Sequence, residues 1–285
     1  MKSKYQIIVT GASGFIGSNL IAYLINRKFN VIGYYRNISF RIKKLNIENY
    51  CIKVRNYKNL PSGKWHLLIH LAAESNRNKY QKNFKNIKSS SLNLCKDLVK
   101  LNFHRVIFLS SSEVYKPTNK KKISEKGIIN QESNYAKIKL ECEEIFNSKR
   151  AIIVRASNLY GPYMGKKNIF YDIINQVSKK NLNIYIKDIF PVRDFLHVYD
   201  LSRAIELLVL TDMAGTFNVG SGKGTSIRSL AQKIINILSK QNRNIISLNH
   251  KKYTSYLTLN SDKVKKKCKW KPKYSLNAGL KKVLN

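Results

Sequence analysis

A β-prone run, Tyr5-Gln-Ile-Ile-Val-Thr10, opens into glycines at 11, 14 and 17, and then into apolar residues at helical spacing. Ile16, Leu20 and Leu24 fall on one line of that segment, with Ile21 and Ile25 beside it. This succession predicts strand, tight turn and helix, the opening of a βαβ unit. Glycines suit such a turn for three reasons. One permits backbone angles that a Cβ would forbid, one lets a pyrophosphate approach the main chain, and one lets helix and strand pack closely. The helix N-terminus then presents free N–H groups and a positive dipole end to phosphates. The spacing is Gly-x-x-Gly-x-x-Gly rather than the tighter Gly-x-Gly-x-x-Gly. With a strand before it and a helix after it, it points to a bound dinucleotide; the alternative is a glycine-rich turn that holds nothing.

The pattern continues along the chain. Strands are expected at Asn30–Tyr35, Cys51–Val54, Leu67–Leu71, Arg105–Ser110 and Arg150–Arg155, and helices at 86–101 and 133–146, the second capped by Ser133. Alternating strands and helices predict an α/β fold with a doubly wound parallel sheet covered on both faces. Beyond the turn at Asn158-Leu-Tyr-Gly-Pro162 the pattern changes. Helices are expected at 169–179, 200–210 and 226–238 and at the C-terminus, with strands near Ile184, at Gly215–Gly220 and at Tyr256–Leu259. These predict a smaller C-terminal α/β lobe. The division is 1–160, with about 190–214 returning to it, for the dinucleotide-binding domain, and 161–189 with 215–285 for the substrate lobe.

At 285 residues the chain can bury a full core. No apolar run is long enough to span a membrane, and Met1-Lys-Ser-Lys-Tyr5 leaves no room for a signal peptide before the first strand, so a cytoplasmic protein without membrane insertion is expected. Cys51, Cys95, Cys142 and Cys268 are far apart in sequence and read as reduced thiols. The formal net charge of +37 raises nucleic acid as a partner. The lysines are scattered, however, at Lys43-Lys44, Lys120–Lys122, Lys179-Lys180, Lys265–Lys267 and Lys281-Lys282, with no arginine-rich arm or zinc module. Nucleic acid is therefore not expected as the main partner, whereas anionic ligands should be attracted. No metal site is expected.

Further pieces stand in order along the chain: His70-Leu-Ala-Ala73, Asn86, Ser111 with Val114-Tyr115, Tyr135-x-x-x-Lys139, Arg155-x-x-Asn158 with Tyr160-Gly-Pro162, Arg193-Asp-Phe-Leu-His-Val198, and a C-terminal Trp270-x-Pro272. Together with the glycine turn they resemble the extended short-chain dehydrogenase/reductase superfamily, in its NAD-dependent epimerase/dehydratase branch acting on nucleotide sugars. The resemblance covers nearly the whole chain. It implies a Rossmann-type fold, a homodimer, and a role in carbohydrate metabolism such as cell-surface polysaccharide biosynthesis. It also implies a cofactor held by Gly11, Ser13, Gly14, Phe15, Ile16, Gly17, Tyr35, Arg36, Leu71, Ala72, Ala73, Tyr135 and Lys139. The strand ending in Tyr35-Arg36 carries no carboxylate for the 2′-hydroxyl of NAD, and an arginine there suits the 2′-phosphate of NADP, so NADP is favoured while NAD stays open.

By the same resemblance the catalytic residues are Ser111, Tyr135, Lys139 and Glu113, and the substrate is held by Ser111, Ser112, Glu74, Asn158 and Arg193. A phenol has a reference pKa of about 10. A lysine one helical turn away favours its phenolate, so Tyr135 can take a proton from a sugar hydroxyl while Ser111 positions the oxygen. Asn158 and Arg193 match positions that grip a diphosphate; for Arg193 the alternative is an ion pair with Asp194. Lys251 or Lys252 stand where the branch often has a further arginine. Glu113 is the residue type of dehydratases and decarboxylases, with Ser112 where the hexose dehydratases carry an acidic partner; its alternative is a carboxylate turned to solvent or paired with a lysine. His70 alone reads as a packed histidine. The expected activity is C4 oxidation of a nucleotide sugar to a 4-keto intermediate, followed by epimerisation or elimination. The alternatives are an NADPH-dependent reductase of nucleotide 4-keto-sugars and, in a different class, an RNA-binding or regulatory protein on the same fold.

Overall fold

The computed structural model describes residues 5–74, 76–119, 121–147, 151–179, 182–238, 243–249 and 254–284. Strand and helix alternate through the first part: β1 (Gln6–Thr10), α1 (Phe15–Asn26), β2 (Val31–Tyr35), α2 (Phe40–Lys44), β3 (Cys51–Lys53), β4 (His66–His70), α3 (Arg77–Lys82), α4 (Phe84–Lys100), β5 (Arg105–Ser111), α5 (Asn134–Phe146) and β6 (Ala151–Ala156). There follow β7 (Asn158–Tyr160), α6 (Ile169–Ser178), β8 (Asn183–Ile186), β9 (Val192–His197), α7 (Val198–Val209), β10 (Gly215–Val219) and β11 (Gly224–Ser226). The last elements are α8 (Ile227–Leu238), β12 (Asn244–Ser247), β13 (Tyr256–Leu257), α9 (Asp262–Cys268) and α10 (Leu276–Leu284).

Seven strands form one parallel sheet in the order β10-β6-β5-β4-β1-β2-β3. This is the doubly wound α/β sheet expected from the pattern. The order reverses between β1 and β4, so the loops after these two strands diverge and leave a crevice at their carboxyl ends. The two faces follow from side-chain alternation. Ile7 and Val9 pack with Leu20 and Leu24 of α1 and with Leu201 and Ile205 of α7. Ile8, between them in sequence, packs on the other face with Leu68, Phe108 and Ile153 against Leu98 of α4 and Ile138 of α5. A third cluster joins Phe170 and Ile173 of α6, Ile184 of β8, Phe195 of β9 and Leu230 of α8.

Several details differ from the sequence pattern. Residues 215–219, grouped by sequence with the lobe, pair in register with β6 at the edge of the large sheet. A short apolar strand carries no mark of which sheet it joins; its pairing partner decides that. The expected helix at 86–101 begins earlier and is preceded by α3. Strands β7, β11 and β12 are too short to show a period. Cys95 of α4 and Cys142 of α5, remote in sequence, are both buried in the same core cluster. Ser75, Lys120, Arg150, Lys180, Lys251 and Lys252 lie outside the described residues. Among the described residues no helix is long and apolar enough to cross a membrane.

His70 is the packed histidine expected. It is 2% exposed, and the Thr10 hydroxyl hydrogen-bonds its Nδ1 at 2.7 Å, tying β1 to β4. Burial, helped by the Lys139 ammonium, pulls its pKa down to about 3, and burial takes His197 down to about 4. In the unfolded chain both titrate near 6.5. Below that pH the unfolded chain takes up protons that the folded chain refuses, so stability falls as pH drops from about 6.5 towards 4. Each histidine should remove about 1.4 kcal/mol per pH unit in that window. Thermal unfolding between pH 7 and pH 4.5 checks this. His70→Gln is expected to flatten the slope, and an unchanged slope would contradict the assignment.

Candidate active site

The glycine turn lies at the crevice. Gly11 has φ +76°, and a Cβ on it would lie 2.8 Å from the Ala72 backbone nitrogen. A Cβ on Gly17 would come within 2.2 Å of the Gly11 carbonyl oxygen, so this glycine lets α1 pack on the turn. Gly14 precedes α1 without a side-chain cap, which leaves the N–H groups of the first turn available. Gly11, Gly14, Phe15, Ile16 and Gly17 all line a cleft of about 650 Å³.

The same cleft is lined by Ser111, Glu113, Tyr135 and Lys139. Strand β5 delivers Ser111 at its carboxyl end, where the Ser111 hydroxyl accepts from the Glu113 N–H at 3.2 Å. Helix α5 delivers Tyr135 and Lys139 one turn apart; its start is fixed by Ser133, which accepts from the Ala136 N–H. The Lys139 ammonium is buried and donates to the Leu109 carbonyl at 2.9 Å, which holds it against β5. Tyr135 is 9% exposed, with Tyr80 edge-on to its ring.

Arg77, which the sequence did not single out, lies over the Tyr135 ring. Its guanidinium carbon lies 3.3 Å from the centre of the Tyr135 ring, and Nη2 donates to Glu113 Oε1 at 2.7 Å. Glu113 is thus paired, with an arginine rather than a lysine. No local signal marks Arg77: it sits in the polar run Asn76-Arg-Asn-Lys-Tyr80, and its role appears only when α3 is laid beside α5. Arg41, Lys166 and Lys167 also line the cleft and add positive charge. Glu74 lines it too, but its carboxylate accepts from Lys79 Nζ at 2.9 Å and from the Asn76 N–H at 2.8 Å.

A neighbouring cavity of about 400 Å³ shares Ala73, Glu74 and Lys139 with the cleft and continues past Ala72 to Arg36, Arg55 and Tyr57. The Arg36 guanidinium lies 6.0 Å from the centre of the Tyr57 ring. Leu71 lines the main cleft. Tyr35 instead packs against the core beneath β2, and the Ser13 carbonyl accepts from the Ser39 hydroxyl at 2.6 Å.

Two expected substrate contacts are absent from the cleft walls. Ser112 enters a 3₁₀ turn just past β5 that leaves it 2% exposed. The Arg193 guanidinium is engaged by the protein itself: Nη1 donates to the carbonyls of Val192 and Ser255, and Nη2 to the Ser255 hydroxyl, each at 2.9 Å. Nor does it pair with Asp194. Neighbours on a strand point to opposite faces, and the buried Asp194 accepts from the N–H groups of Ser221 and Gly222. Asn158 does line the cleft, its Nδ2 donating to the Asp194 carbonyl at 3.4 Å.

Known proteins share this fold. A Methanocaldococcus jannaschii protein provisionally named UDP-glucose 4-epimerase is 28% identical, the match covering 98% of this chain and 97% of that protein. The Thermotoga maritima UDP-glucose 4-epimerase, solved with UDP-glucose, superposes with a TM-score of 0.80 at 24% identity, over 98% of this chain and 97% of that one. The dTDP-glucose 4,6-dehydratase DesIV of Streptomyces venezuelae, solved with NAD and TYD, superposes with a TM-score of 0.84 at 20% identity, over 98% of this chain and 95% of that one. The model of the NAD dependent epimerase/dehydratase family matches residues 7–220. The chain belongs to that family.

Proposed function

We propose that this protein acts on a nucleotide-diphosphate sugar as an NAD(P)-dependent epimerase or dehydratase, by oxidation at C4 to a 4-keto intermediate. The observation that carries the reading is the meeting of Ser111, Tyr135 and Lys139 with the glycine turn in one cleft. The residues fit a dinucleotide: Gly11 and Gly17 shape a turn that a Cβ would fill, and the α1 N-terminus beside them suits a diphosphate. Gly11, Gly14, Phe15, Ile16 and Gly17 would hold the diphosphate, Leu71 to Ala73 the path beyond it, and Arg36 the adenosine ribose. When bound, the dinucleotide supplies a hydride acceptor that can return what it takes.

The chain's own groups do the rest. Tyr135 takes the proton of the C4 hydroxyl as base, with Lys139 one helical turn away on the same face of α5. Ser111 hydrogen-bonds the reacting oxygen and holds it in line. Glu113, ion-paired with Arg77, takes a proton from a carbon next to the ketone where elimination follows. Asn158, Lys166 and Lys167 suit the anionic part of the substrate. In this reading residues 161–189, with the C-terminal segments outside the large sheet, form the substrate lobe.

Incubation with a panel of UDP-, dTDP- and GDP-sugars, followed by product mass and stereochemistry, tests the reading. Unchanged mass with an inverted centre marks an epimerase, and loss of water a dehydratase. Absence of turnover on all of them would contradict it. Arg36, with Arg55 lining the same cavity, supports a 2′-phosphate and so NADP, and also favours the second reading, a reductase of nucleotide 4-keto-sugars. A stoichiometric demand for NADPH would select the reductase. Arg36→Ser is expected to weaken NADP+ binding about tenfold while leaving NAD+ within about twofold. Tighter binding of NAD+ than NADP+ by the wild type would contradict the preference.

A further inference from the structure

Among the described residues four buried side-chain polar atoms have no hydrogen-bond partner: His66 Nδ1, Ser157 Oγ, His197 Nε2 and Thr258 Oγ1. Of these residues, Ser157 alone lines the catalytic cleft. It is 5% exposed. A buried hydroxyl left unpaired costs about 1–3 kcal/mol, which an arriving ligand group would recover. Each of its polar neighbours has a bond of its own within the protein. The Ser110 hydroxyl donates to Glu143, the Ser111 hydroxyl accepts from Glu113, and Asn158 donates to Asp194.

The place of Ser157 in the sheet identifies the ligand group. It follows β6 directly, one residue past Ala156, which is paired with Ser111 of β5, and its N–H donates to the Val219 carbonyl of β10. The glycine turn is on β1, with β2 and β3 to one side and β4, β5 and β6 to the other. Arg36 and Arg55 stand past β2 and β3, on the side suited to a phosphorylated ribose. A dinucleotide centred on the turn must therefore run its other half towards β5 and β6. The wall there combines Leu109, Ala156 and Leu159 with Ser111 and Asn158, which the proposed function gives to the substrate, and the Leu109 carbonyl is taken by Lys139. The polar substituent of a pyridine ring entering this corner is its carboxamide.

We infer that the Ser157 hydroxyl accepts a hydrogen bond from the carboxamide N–H of the bound nicotinamide and so fixes the orientation of the ring. This rests on the cofactor reading above. The test is Ser157→Ala, with dissociation constants for NAD+, for its 3-acetylpyridine analogue, in which a methyl replaces the amide nitrogen, and for ADP-ribose, which lacks the ring. The variant is expected to bind NAD+ about fivefold to tenfold more weakly while holding the analogue and ADP-ribose within about twofold of wild type. The melting temperature of the ligand-free variant should be unchanged or raised, because an unpaired buried hydroxyl has been removed, while the shift produced by NAD+ shrinks. Equal losses for all three ligands, or undiminished NAD+ affinity, would overturn the inference while leaving the cofactor reading intact. Failure of the wild type to bind any of the three, and NADP+ as well, would remove the cofactor reading, and the inference with it.

Discussion

Tyr135→Phe should lower turnover on the accepted nucleotide sugar by about three orders of magnitude, the scale on which a positioned base contributes. Dinucleotide affinity should stay within about threefold, because only one oxygen is removed and the ring is retained. The ring's surroundings support this separation. Tyr80 meets it edge-on, and the Arg77 guanidinium carbon lies 3.3 Å from the ring centre, contacts that a phenylalanine ring keeps. Titration calorimetry with the dinucleotide, beside single-turnover kinetics with the sugar, measures both parts. A variant that keeps a tenth of wild-type turnover would show that another group takes the proton.

Glu143→Ala should cost about 3–5 kcal/mol of folding stability, because it strands a buried guanidinium. Glu143 accepts from Arg155 Nε at 3.0 Å and Nη2 at 2.5 Å, and also from the Ser110 hydroxyl. Arg155 Nη1 donates to the Tyr115 hydroxyl at 2.9 Å, which donates to Asn218 Oδ1 at 2.8 Å. The network thus ties α5, β5, β6 and β10 together beneath the cleft. Melting should move down by roughly 10 °C in a chain of this size. The double variant Glu143→Leu with Arg155→Met should recover much of the loss, since removing both charges removes the stranded one. A single variant that melts within about 2 °C of wild type would show that water reaches the pair.

The fold was legible where burial and local chemistry act on neighbours in sequence. Tyr5–Thr10 reads as a buried strand because its residues are apolar or β-prone in an unbroken run, and the glycines at 11, 14 and 17 read as a turn because they follow it directly and precede a helical period. The Tyr135–Lys139 pair was readable because one helical turn sets it. What contacts these residues across the fold was not readable. Arg77 lies in a polar run like any surface helix, and only the packing of α3 beside α5 sets it over Tyr135 and against Glu113. Arg193 carries the expected residue type, yet its direction depends on Ser255, 62 positions away. Ser157 is an ordinary serine in sequence, and its missing partner is visible only once every neighbour's bond is assigned. Periodicity and turn chemistry are short-range, so they act through the order of residues. Side-chain partners across a sheet are settled by where distant strands finally lie, and that is a property of the folded chain as a whole.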